Sequence, residues 1–101
     1  MLKRRKMDIE FTQYMLPNGR TKLITIDVDE ETGEIARTLQ EKGVRLDIEI
    51  LTTGVISMTA EMSDDDENLL AIELCPNGPG MKDVVTKLIA TANEEYLKRN
   101  K

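Results

Sequence analysis

The sequence contains no histidine and no tryptophan, a single cysteine, and Phe11, Tyr14 and Tyr96 as its only aromatic residues. Without histidine, the usual general base near neutral pH and the commonest metal ligand are both missing. A lone Cys75 cannot close an internal disulfide, so the expected compartment is the reducing cytoplasm. No apolar run approaches the roughly 20 residues of a membrane-spanning helix. The basic start Met1–Arg5 lacks the apolar stretch of a secretory signal. So few aromatics also remove the stacking platform that sheets use to hold single-stranded nucleic acid, and nucleic acid is not an expected partner.

What is present is a chain of 101 residues, 40% hydrophobic and 33% charged, with a formal net charge of -5. That length and balance fit one soluble domain with a charged surface. The charge is unevenly spread, since Lys3, Arg4, Arg5 and Lys6 all precede the first acidic residue, Asp8. Removing those four from the 14 Lys and Arg leaves 10 against 19 Asp and Glu. Residues 1–6 therefore read as a short disordered basic tail on an acidic domain, residues 7–101. The other reading is an arm for nucleic acid or an acidic partner, but one cluster of this size neutralises few phosphates.

Apolar periodicity supplies the elements. Met7, Ile9 and Phe11 alternate with polar residues, as a half-buried strand requires. Asn18-Gly19 then reads as a two-residue hairpin turn, which pairs Phe11 with Ile26, Ile9 with Val28 and Glu10 with Asp27. The acidic run from Asp27 to Glu31 suits a helix N-terminus, with Asp29 or Thr32 as cap, Ile35, Ala36 and Leu39 as the buried spacing, and Gly43 as terminator. Val44, Leu46, Ile48 and Ile50 mark a third strand, and Ile56, Met58, Ala60 and Met62 a fourth. A three-residue loop, Thr52-Thr53-Gly54, pairs Ile50 with Ile56, Ile48 with Met58 and Arg45 with Glu61. Leu70, Ile72 and Leu74 read as the inward set of a fifth strand. A final helix carries Met81, Val84, Val85, Leu88, Ile89, Ala92 and Tyr96 on one stripe.

The predicted order is ββαβββα, an α+β fold with a five-stranded, mainly antiparallel sheet and both helices packed on one face. Two strand orders remain open, with the third strand beside either the second or the first.

Candidate sites are few. Asp64, Asp66 and Asn68 match the opening of a Ca²⁺-binding loop, but Leu69 stands where its glycine belongs and Cys75 where its glutamate belongs. A solvated acidic loop fits better, and no cofactor is expected. Cys75 has no histidine to activate it and, by alternation, falls on the outer sheet face. That face is also expected to carry Glu73 and Ala71, together with Tyr14, Leu23, Leu51, Val55 and Leu69. The last five form the expected contact surface. The leading expectation is a non-enzymatic protein-interaction domain that self-associates, as a homodimer, through this open face. The alternatives are an acidic inhibitor or nucleic-acid mimic that binds a basic protein, and a small enzyme using carboxylates or Cys75.

Overall fold

Alternating strands and helical stripes assemble as that order requires. The computed structural model describes residues 6–15, 19–62, 69–75 and 80–99. In chain order the elements are β1 (Lys6–Met15), β2 (Arg20–Asp29), α1 (Glu30–Glu41), β3 (Val44–Ile50), β4 (Ile56–Met62), β5 (Leu69–Cys75) and α2 (Met81–Arg99). Lys6, assigned to the basic tail by its charge, is already the first residue of β1. The rest of that tail and the acidic segment Asp64, Asp66 and Asn68 lie outside the described residues.

The sheet order is β2-β1-β3-β4-β5, so β3 lies beside β1 rather than β2. Every neighbouring pair is antiparallel except β1 with β3. The chain thus leaves the edge strand β2, runs through α1, and returns to pair in parallel with β1.

The β3–β4 hairpin has the expected register, with Ile50 opposite Ile56 and Arg45 opposite Glu61. Its loop closes by hydrogen bonds from Gly54 N–H to the Leu51 carbonyl and from Leu51 N–H to the Val55 carbonyl, both 2.9 Å. Gly54 takes φ 87, the left-handed conformation that this three-residue loop needs and that a side chain would resist.

The β1–β2 register differs from expectation by two residues: Phe11 faces Ile24, Ile9 faces Ile26 and Met7 faces Val28. The last pair before the turn is Met15 with Arg20, closed by Gly19 N–H bonding to the Met15 carbonyl at 2.9 Å. A two-residue turn would place Pro17 in the ladder opposite Arg20, and proline has no N–H to give. A slip of two preserves which face each side chain takes. It does move the like-charge contact from Glu10 and Asp27 to Asp8 and Asp27.

In β5 the expected faces are wrong beyond Leu70. The β4–β5 ladder pairs Glu61 with Leu69 and then Ala60 with Ala71, leaving Leu70 as an extra residue. This bulge puts Leu70 and Ala71 both into the core and shifts the phase of the remaining strand. Glu73 and Cys75 therefore lie opposite Met58 and Ile56 on the helix side, while Ile72 and Leu74 face outward.

One core fills the space between the sheet and the helices. Ile9, Phe11, Leu46, Ile48 and Met58 from the sheet meet Ala36 and Leu39 of α1 and Val85, Leu88, Ile89 and Ala92 of α2. Burying large aliphatic side chains of this kind contributes about 1.5–3 kcal/mol each. The α1 helix begins with Asp29 at its N-cap position, and Thr32, considered as a cap, is buried within it. At Gly33 the helix passes so close to β1 that a Cβ there would sit 2.6 Å from Met7 Cβ.

Candidate interaction surface

Cross-strand pairing places the outer-face residues in rows. One row runs Leu23, Thr12, Asp47, Thr59, Ile72, and the next runs Thr21, Tyr14, Glu49, Ser57, Leu74. Neither α1 nor α2 packs on this face, so its contacts depend on which side chains stand together along the rows.

The five residues expected to form the contact surface do not form one patch. Leu23, 67% exposed, stands on edge strand β2, whereas Leu69 stands on the opposite edge, β5. Four strand spacings separate those edges, about 19 Å. Tyr14 is half-buried in the middle of the sheet, and half-buried Leu51 and Val55 flank the β3–β4 loop. What does form a continuous strip is β5 itself: Leu69 is 40% exposed, Ile72 53% and Leu74 65%. Simple alternation places Ile72 and Leu74 in the core and so misses them. The strand is apolar in both phases, and only the bulge decides which phase faces water.

Between the two edges the face is acidic. Asp8, Glu10, Asp27, Asp47, Glu49 and Glu61 share it with Lys6 and Arg45. Asp27, directly opposite Asp8, pushes the Asp8 carboxyl above its ordinary range by hydrogen bonding and by charge, and Arg37 offsets part of this.

Asp47 is the one buried acidic side chain among the described residues, 4% exposed. Arg45 Nε donates to its Oδ2 at 3.0 Å, and the same guanidinium pairs with Glu61 across the β3–β4 ladder. Asp47 Oδ1 is buried without a hydrogen-bond partner. Burial raises the Asp47 carboxyl above its ordinary range, and the Arg45 contact works against that.

Beside this cluster the sheet opens. The β1–β3 ladder begins only at Thr12 with Asp47. Before it, Glu10 and Phe11 draw apart from Val44, Arg45 and Leu46 to leave a cleft of about 410 Å³. Gln40, from the end of α1, donates its amide to the Glu10 carbonyl at 3.0 Å and so satisfies an acceptor the ladder leaves unused.

Cys75 is buried on the helix side, and its thiol donates to the Ile56 carbonyl at 3.5 Å. Burial, with Glu73 adding to it, pushes that thiol up, away from the thiolate a nucleophile requires. Glu73 itself stands 3.5 Å from Lys87 of α2. Among the described residues no three metal-binding side chains cluster, and no helix is long and apolar enough to cross a membrane.

No protein-family model, curated protein or solved structure matches the chain.

Proposed function

We propose that this chain is a non-enzymatic protein-interaction domain that self-associates through the apolar margin of its outer sheet face, along β5. The observation that carries this reading is the strip Leu69, Ile72 and Leu74, three large side chains exposed side by side on an edge strand. Exposed apolar strips on edge strands are what soluble proteins avoid unless something pairs with them. The test is solution mass by light scattering over a range of concentrations, at low and high salt. A dimer that persists in high salt is expected. Leu74→Asp should return it to the monomer while changing unfolding stability by no more than about 0.5 kcal/mol, the usual limit for an exposed site. A monomer at every concentration would remove the proposal.

The acidic stretch on β1, β2 and β3 supports a second reading, in which a basic protein is held against it, as an inhibitor or nucleic-acid mimic would do. Salt separates the two, because a charge-held complex dissociates as the Debye length shrinks from about 10 Å to about 3 Å.

A further inference from the structure

We infer that the second copy adds edge to edge: β5 pairs antiparallel with β5 of the other copy about a two-fold axis at Glu73, so that one sheet runs through both. This rests on the self-association proposed above and supplies its geometry.

The two edges of the sheet differ in kind. The β2 strand carries Arg20, Lys22, Asp27 and Asp29, and charges along an edge oppose pairing. The only charged residue of β5 is Glu73, which is held by Lys87. At the start of the strand, Arg99 donates to the Leu69 carbonyl at 3.0 Å, and the bulge interrupts regular alternation. That leaves Ala71–Cys75 as the regular stretch available for pairing.

Phase then selects the axis. Directly opposed residues in an antiparallel pair point to the same side of the sheet. With the axis at Glu73, all of Ala71–Cys75 is in register: Ile72 meets Leu74 of the second copy on the outer side, and Ala71 meets Cys75 on the inner side. With the axis at Ile72, inward Leu70 would oppose outward Leu74. Glu73 facing itself would be repulsive alone. Lys87 stands beside each copy of it, so two carboxylates and two ammonium groups gather with no net charge. Of the outer-face acids, Glu61 on neighbouring β4 is paired with Arg45, and those on β1, β2 and β3 lie about 10 Å or more from this edge, roughly a Debye length away. Packing the two outer faces against each other would instead bring those acids together.

Cysteine scanning tests the axis. In a Cys75→Ser background, the single substitutions Ile72→Cys, Glu73→Cys and Leu74→Cys each provide one thiol, oxidised gently and read on a non-reducing gel. A thiol bonds to its own copy only where the two Cα atoms lie within about 7 Å, that is, on the axis. Glu73→Cys should give at least about fivefold more covalent dimer than either neighbour. The double variant Ile72→Cys/Leu74→Cys, which retains Glu73, should cross-link as well, and far-UV circular dichroism should match the parent for every variant. Cross-linking that peaks at 72 or 74, or at none of them, in a chain that is dimeric by mass overturns the edge geometry and leaves self-association standing. A chain monomeric by mass overturns both.

Discussion

Asp47 concentrates the tension in this fold at one side chain. It lies on the sheet face opposite α1 and α2, yet it is buried, with one carboxylate oxygen on Arg45 and the other without a partner. A carboxyl whose folded pKa is raised binds its proton more tightly in the folded state than in the unfolded one. Its contribution to stability is therefore complete below the unfolded pKa and is lost as pH rises through the folded value. Asp47→Asn removes that titration while keeping an oxygen for Arg45. Urea midpoints measured from about pH 3 to about pH 7 should show the variant gaining on the parent as pH rises. A parent that gains on the variant instead would mean that the ion pair with Arg45 outweighs burial. Nothing in the alternation of Arg45, Asp47 and Glu49 distinguishes Asp47 from its exposed-face neighbours. Its cross-strand neighbours are Thr12 and Thr59, and periodicity along β3 says nothing about those.

At the scale of elements, the close crossing of α1 over β1 has a measurable signature at Gly33. Alanine in a helix is favoured over glycine by about 1 kcal/mol. Here the added Cβ would meet Met7 Cβ at 2.6 Å and Met7 Sδ at 2.8 Å, and a Cβ cannot rotate away. Overpacking of this kind costs about 1–3 kcal/mol, so Gly33→Ala should lower denaturant stability by up to about 2 kcal/mol net. A gain in stability would mean that the helix can lift from the strand without cost. Gly33 also illustrates how far the elements can be read in advance. As a helix-weakening residue it blurs the predicted start of α1, whereas it is needed for contact with a strand more than twenty positions earlier. The β3–β4 hairpin is legible because Gly54 and two alternating runs agree on one loop length. The β1–β2 register is not, because Asn18-Gly19 signals a tight turn while neighbouring Pro17 excludes one. The β5 faces fail for a different reason, since Leu70, Ile72 and Leu74 alternate as well as Leu69, Ala71, Glu73 and Cys75. Part of the candidate surface is legible: Leu69, and the general idea of an uncovered outer face. Its continuity along β5 depends on the bulge, and the separation of Leu23 from it depends on strand order.

For the whole molecule, the decisive feature is how narrowly the β1–β2 hairpin joins the rest of the sheet. β1 is ten residues long, but its ladder with β3 covers only Thr12–Met15 against Asp47–Ile50. The strands β3, β4 and β5 are instead paired along most of their lengths, with α1 behind β3 and α2 behind β4 and β5. Native-state hydrogen exchange should therefore divide the sheet. Amides of Leu46, Ile48, Met58 and Ala60 should exchange only through global unfolding, and those of β2 through a smaller opening that requires less free energy. Uniform protection across all five strands would show that the hairpin and the rest of the sheet open as one. The same arrangement has a consequence for synthesis. β1 is made early, but Thr12 finds Asp47 only 35 positions later, a wait of about 2–7 s at ordinary translation speed. During that interval the hairpin presents Ile9 and Phe11 and an open strand edge to every other nascent chain nearby. The close charges of Asp8, Glu10 and Asp27, a burden on the finished sheet, are what would hold such hairpins apart until β3 arrives.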